Sequence, residues 1–423
     1  MENTKKLIDF IEKSVDCYHA VYTAAQILEK NGYKRLSEFD SWILANGGKY
    51  YVTRNDSSII AFKIPQNGFD SFMICASHTD SPSFKIKPDF EIEAAKSIKL
   101  GVEGYGGMIM YSWLDRPLSV SGRVTSVKNG EIHTSLVDIN KDLLIIPSLA
   151  IHLERDLNKG HEFNIKRDMC PIAGEKKGGI MKLIADYSGV SEQDIKGFDL
   201  SLYNRMCGTV IGTDSEYFSA PRIDDLQCMY ATLEGFLQSE QGGHVSVFAA
   251  FDNEEVGSGT KQGAKSLFLR DVLERICTAF GKNSDEYKKS VAKSFMMSCD
   301  NAHAVHPNHT DKSDDNNRVY MNGGIVIKYN ANQHYTTDAV SEAAVKYICE
   351  MADVPYQMYA NRSDMPGGST LGNLSNEKVS LNTADIGLAQ LAMHSAYETA
   401  GTKDTSYMIK FAKMFYSTGI LVK

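Results

Sequence analysis

The sequence predicts an α/β fold: a mostly parallel sheet flanked by helices and interrupted by a β-rich insert. Three observations carry that prediction. Short runs apolar on both faces end abruptly in polar clusters, helical periodicities stand between them, and a long central stretch switches to two-residue alternation with glycine punctuation. The chain has 423 residues, 43% hydrophobic and 23% charged, enough material for a large core.

The elements follow in chain order. Leu7, Ile8, Phe10, Ile11 and Val15 recur at helical spacing, an amphipathic helix without the continuous apolar run of a secretory leader. Phe72-Met73-Ile74-Cys75-Ala76 reads as a buried strand ending in Ser77-His78-Thr79-Asp80. Between about Asp89 and Thr213 the pattern changes. Gly101, Gly104, Gly106 and Gly107 punctuate it, Ser119 to Val127 alternates, and Lys128-Asn129-Gly130-Glu131 supplies a hairpin turn. The expected division is therefore residues 1–88 and 214–423 as two parts of one α/β domain, with 89–213 as the β-rich insert.

After the insert, Asp225 to Gln238 places Leu226, Met229, Tyr230, Leu233 and Phe236 on one helical face. The run Val245 to Phe251 ends in Asp252-Asn253-Glu254-Glu255, and Phe295 to Cys299 ends in Asp300-Asn301-Ala302-His303. Asp311 to Arg318 reads as a surface loop, and Thr337 to Met351 as a helix stopped by Asp353 and Pro355. A weaker run, Tyr356 to Tyr359, ends in Asn361-Arg362-Ser363-Asp364. In parallel sheets ligands bind beyond the carboxyl ends of strands, which is where these polar clusters stand.

Lys and Arg total 45 against 53 acidic residues, and the net charge of −8 argues against a nucleic-acid partner. No run approaches the ~18 apolar residues of a membrane span, so no membrane partner is expected. The eight cysteines form no C-x-x-C pair, and Cys75 and Cys299 sit inside apolar runs. A reduced, cytoplasmic protein is expected, in which any metal is held by His and carboxylates.

Several familiar motifs fail on inspection. Gly259 to Ser266 lacks the closing Gly-Lys-Ser/Thr of a phosphate loop, and His161-Glu162 lacks a second His at the zincin spacing. Gly367-Gly368-Ser369-Thr370-Leu371 is no nucleophile elbow, and His152-Leu153-Glu154 is followed by no P-C-x-x-C.

The strand-end clusters say more. His78 and Asp80, two apart in extended chain, project to one side, so the carboxylate can buttress the imidazole or a neighbouring ligand; a capping Asp beside a strand-end His is the plainer alternative. Glu254-Glu255 places two adjacent carboxylates directly after a buried strand, an arrangement tolerated most readily beside cations. One can ligate while the other acts as general base for a metal-activated water; a solvated acidic turn is the alternative. Asp224, equally able to cap the following helix, Asp300 and His394 complete a carboxylate and imidazole set suited to one dinuclear hydrolytic site.

Seven blocks, in order, resemble the aspartyl aminopeptidase and vacuolar aminopeptidase I family of dinuclear zinc metallo-aminopeptidases. They are Ser77-His78-Thr79-Asp80-Ser81-Pro82, Ala220 to Asp224, Asp252 to Ser258, Ala302 to Asn308, Ile327 to Gln333, Arg362 to Pro366 and Gln390 to Ser395. The likeness runs from about His19 to the C-terminus. It implies a zinc-exopeptidase-like catalytic domain, an inserted β-rich dimerisation domain, and a homo-oligomer, a dodecamer built from dimers. It further implies two divalent metal ions per chain, zinc with cobalt or manganese as alternatives. His78, Glu255, Asp300 and His394 become terminal ligands, Asp224 the bridging carboxylate, Glu254 the general base and Asp80 an orienting residue. His152 matches a residue that reaches into a neighbouring subunit's site.

The chain departs from the family pattern at Asp225, where Asn is common, and at His334 and Gly367, where Arg and Cys are usual. The last two leave open whether an acidic or a neutral N-terminal residue is preferred. Lys328 is a candidate partner for an acidic substrate side chain, with His303 and Tyr335 as further candidates for the pocket lining. The expected function is removal of the N-terminal residue from peptide substrates. A related dinuclear carboxypeptidase or N-acyl hydrolase, and a non-catalytic oligomeric binding protein, are the alternatives.

Overall fold

A computed structural model of the chain describes residues 1–365 and 367–422; Pro366, which closes the Arg362 block, lies outside them. The chain begins with α1 (Glu2–Lys13), which buries Leu7, Ile8, Phe10 and Ile11, and α2 (Cys17–Lys30), whose N-cap Asp16 accepts the His19 backbone N–H. Then come β1 (Lys34–Leu36), β2 (Lys49–Arg54), β3 (Ser58–Lys63) and β4 (Phe72–His78). Next are β5 (Ser83–Ala94), β6 (Ser97–Tyr105), β7 (Leu118–Lys128), β8 (Glu131–Asp138), α3 (Ile165–Asp168), β9 (Ile172–Gly174), α4 (Gly179–Ser188) and β10 (Ile195–Asn204). The remainder comprises β11 (Thr209–Ile211), β12 (Tyr217–Ala220), α5 (Ile223–Gln238), β13 (Val245–Phe251), α6 (Phe268–Ala279), α7 (Ser284–Ala292), β14 (Phe295–Cys299) and β15 (Ala302–His303). It closes with β16 (Ile325–Tyr329), α8 (Ala339–Ala352), β17 (Tyr356–Ala360), α9 (Leu371–Asn376), β18 (Asn382–Gly387), β19 (Ala389–Leu391), β20 (Glu398–Gly401) and α10 (Asp404–Thr418).

Among the described residues these strands form three sheets. The largest has the order β1-β2-β3-β13-β4-β14-β18-β16-β17. Its pairings β1·β2, β13·β4, β4·β14, β14·β18 and β16·β17 are parallel, and β2·β3, β3·β13 and β16·β18 antiparallel. Residues of α1, α2, α5, α8 and α10 pack against one face, and α6 with Leu371 against the other. Coverage on both faces is why β4, β13 and β14 are buried along their whole length and read as unbroken apolar runs. The weaker run became β17, a half-exposed edge strand with one neighbour only.

The second sheet, β8-β7-β10-β5-β6-β9, is antiparallel throughout and encloses its own core of Phe84, Leu100, Trp113, Leu118, Val120 and Leu202. The hairpin β7–β8 turns on Asn129 and Gly130, both at positive φ, as a two-residue primed turn requires. Its strand β5 already begins at Ser83, so sheet and span 89–213 do not start together. The third sheet, β11-β12-β20-β19-β15, consists of strands too short to show a periodicity. The described cysteines are free, and no described helix is long and apolar enough to cross a membrane.

Candidate metal centre

Parallel register gathers the strand-end residues. β13 lies beside β4 with Phe251 opposite His78, and β14 lies on the other side with Ser298 opposite Ala76. Glu254 and Glu255 therefore emerge just beyond His78 on one flank and Asp300 on the other. Asp224 and Asp225 enter from the first turn of α5, where both depart from helical φ/ψ; Arg222, at φ 56°, takes the N-cap position, so Asp224 is not the helix cap. His394 comes from the turn joining β19 to β20.

One carboxylate faces two imidazoles. Asp224 Oδ1 stands 3.4 Å from His78 Nε2, and Asp224 Oδ2 stands 3.4 Å from His394 Nε2. His394 Nε2 is also 3.4 Å from Glu255 Oε2. His78, Asp224, Asp225 and Asp300 each offer a donor atom within 4.8 Å of the others, and so do Asp224, Glu255 and His394. Asp224 thus belongs to both groups. His78, Glu254 and Glu255 form a third overlapping group.

The donor chemistry fits divalent cations. Asp224 Oδ1, Asp225 Oδ1 and Glu255 Oε1 are buried with no hydrogen-bond partner among the described residues, a costly state that a cation relieves. Burial pushes the Glu254 carboxyl up to about 8; burial and the Asp224 charge push Glu255 well above the usual carboxylate range. Asp224 is held low despite burial, because the imidazoles of His394 and His78 stand beside it. Nitrogen and oxygen donors without thiolate suit zinc, cobalt and manganese alike.

The surrounding residues fix each donor. His78 Nδ1 donates to the Asp80 carbonyl at 3.0 Å and His394 Nδ1 to the Gly107 carbonyl at 2.8 Å. A carbonyl only accepts, so each ring keeps its proton on Nδ1 and turns Nε2 toward the cluster. The Asp80 carboxylate accepts the backbone N–H groups of Glu254 (3.1 Å) and Glu255 (3.2 Å), and the Tyr105 hydroxyl at 2.6 Å. It holds the turn that presents both glutamates. Gly106 stands so close that a Cβ there would lie 3.1 Å from Glu255 Cβ, and its φ of +74° also favours glycine. The second sheet thus reaches the cluster through Tyr105, Gly106 and Gly107.

The remaining candidates lie around this cluster or away from it. Lys328 is buried, with Nζ 3.6 Å from Asp300 Oδ1 and 2.7 Å from the Asn301 carbonyl it donates to. Buried Tyr335 presents its ring 5.5 Å from Lys328 Nζ. His303 lines a cavity of about 330 Å³ with Tyr359, Asn361, Gln390 and Met393, beside His394. His152 lies in an exposed turn and makes no hydrogen bond among the described residues. Sequence reasoning missed Tyr105 and Glu398. The latter's only signal is its place four residues after His394, and burial with the Asp224 charge pushes its carboxyl up to about 8.

Comparison with known proteins agrees with this chemistry. The family described as aminopeptidase I zinc metalloprotease (M18) matches residues 10–416. A protein of Clostridium novyi (strain NT) named probable M18 family aminopeptidase 2 is 45% identical over 424 residues, covering 97% of this chain and 98% of that one. The fold matches a chain from a cryo-EM structure of the Ape4 and Nbr1 complex with TM-score 0.95 at 35% identity, covering 98% of this chain and 85% of that one. It matches a chain of the S. cerevisiae mApe1 dodecamer with TM-score 0.87 at 29% identity, covering 98% and 96%. By fold and chemistry the protein is a zinc metalloprotease of the exopeptidase class. The chain belongs to the M18 family of aminopeptidases.

Proposed function

We propose that the chain removes the N-terminal residue, acidic or neutral, from peptides at a site holding two divalent ions. The observation that carries this reading is Asp224, whose Oδ1 stands by His78 and whose Oδ2 stands by His394. His78, Asp224 and Asp300 would hold one ion, and Asp224, Glu255 and His394 the other. Bound ions of this kind polarise the scissile carbonyl and lower the pKa of the attacking water.

Glu254 is the general base. It stands half-buried beside the cluster with its N–H tied to Asp80, and its carboxylate accepts the proton of the attacking water and returns it to the leaving amine. Asp80 acts by orienting His78 and the Glu254–Glu255 turn. Lys328, Tyr335 and His303 border the position of the substrate's first residue. The span 89–213, which carries most of the second sheet, serves as a dimerisation domain between the catalytic parts 1–88 and 214–423. His152, exposed in one protomer, reaches a neighbouring site in a dodecamer built from dimers; the dodecameric mApe1 relative supports that assembly. The free cysteines are consistent with a cytoplasmic location.

Glu254→Gln tests the mechanism. It should retain metal while turnover of aminoacyl reporter substrates falls ~10²–10⁴-fold; near-normal turnover removes Glu254 from that role. A panel with N-terminal Asp, Glu, Leu, Met and Lys, each free or acetylated, fixes the preference. Cleavage of the acetylated forms would instead indicate an N-acyl hydrolase.

A further inference from the structure

Glu398, at the start of β20, is 2% exposed. Its Oε2 accepts the backbone N–H of Asp224 at 3.0 Å, and its Oε1 accepts the backbone N–H of His394 at 2.7 Å and Gln390 Nε2 at 3.3 Å. Asp224 and His394 come from different parts of the fold, α5 and the β19–β20 turn. No backbone ladder joins those two residues directly; β20 pairs with β12, where Ala220 stands opposite Glu398 itself.

We propose that Glu398 is a positioning residue for the metal centre. One carboxylate sets the distance and orientation between the shared ligand Asp224 and the imidazole of His394, and so couples the two ion positions. This rests on the two-ion reading of the cluster. Three donors converge on Glu398, so its oxygens are both needed as acceptors. Gln cannot supply that. Its oxygen satisfies the Oε1 position, where two donors meet, and its NH₂ then confronts the Asp224 N–H. The disturbance falls on Asp224, the ligand common to both ions, rather than on one position.

The test is calorimetric titration of metal-stripped, full-length protein with Zn²⁺, with circular dichroism and thermal melting to establish the fold. Glu398→Gln should keep the fold and bind both ions about 10–100-fold more weakly, the usual cost of losing an outer partner of a metal ligand. The visible spectrum of the cobalt-loaded variant should shift as well, which a purely structural role would not require. His394→Ala should weaken one ion only. A folded Glu398→Gln protein with both affinities within about threefold of wild type overturns the proposal. If that variant does not fold, Glu398→Asp carries the test: it keeps the charge but withdraws the carboxylate by one methylene, so both ions should bind at least about 10-fold more weakly, and unchanged affinity for both overturns the proposal. A wild-type chain taking one ion overturns the two-ion reading, while the effect of Glu398→Gln stays readable on that ion.

Discussion

Tyr105 links the second sheet to the turn that presents Glu254, and Tyr105→Phe isolates that link. The hydroxyl donates to Asp80 Oδ2 at 2.6 Å and accepts Asn253 Nδ2 at 2.9 Å. Phe removes both bonds and keeps the ring under Lys85 Nζ, 4.4 Å from its centroid. A hydrogen bond to a charged group contributes about 1.5–3 kcal/mol. Asp80 in turn holds the N–H groups of Glu254 and Glu255, so the loss falls on the geometry of Glu254, the proposed base. With 1.36 kcal/mol per factor of ten, kcat/KM should drop about 10–150-fold. Steady-state kinetics on an aminoacyl reporter, with metal content measured in parallel, reads the effect. The fall should lie mainly in kcat, with metal retained. A kcat/KM within about twofold of wild type would show that Tyr105 does not position the proposed base Glu254 through Asp80.

Two further perturbations probe the scaffold. His19 Nδ1 lies 2.9 Å from Asp16 Oδ2, both nearly buried. Burial opposes both charges, yet each partner overrides it: His19 is raised above its ordinary 6.5 and Asp16 lowered below 3.8. The His19 contribution is complete below pH 6.5 and lost as pH rises through its raised value; the Asp16 contribution is present above pH 3.8 and lost as pH falls through its lowered one. Asp16→Asn should therefore destabilise metal-stripped protein by about 1.5–3 kcal/mol near pH 5.5 and by less near pH 9, measured by urea denaturation; a pH-independent difference would remove the ion pair from the account. A Cβ on Gly387 in β18 would collide with the Asp300 carbonyl oxygen and approach Lys328 Cε at 3.2 Å. Gly387→Ala should cost about 1–3 kcal/mol and lower metal occupancy, and an unchanged melt with full occupancy would contradict that packing.

The most legible parts of the sequence were those where burial leaves no choice of residue. β4, β13 and β14 are covered on both faces, so their apolar runs stop sharply at Ser77, Asp252 and Asp300, just before or at the candidate ligands. The Asn129-Gly130 turn was legible for a similar reason, since few other residues accept its backbone. Other features depend on long-range packing and leave little local trace. The strands β11, β12, β15, β19 and β20 are too short for a period, so the sheet that carries His394 and Glu398 was invisible. Tyr105 sits among glycines and owes its role to Asp80, distant in sequence. Lys328 stands in the sequence as a candidate for an acidic substrate side chain, but its burial against Asp300 follows only from the pairing of β16 with β18.

The shared position of Asp224 is the centre of the account, and metal counting in wild type and Asp224→Asn tests it most directly. Two divalent ions per wild-type chain are expected, and joint loss of both, with hydrolysis, in a variant whose circular dichroism is unchanged. Loss of a single ion in Asp224→Asn, or full turnover by a chain stripped of metal, would contradict it.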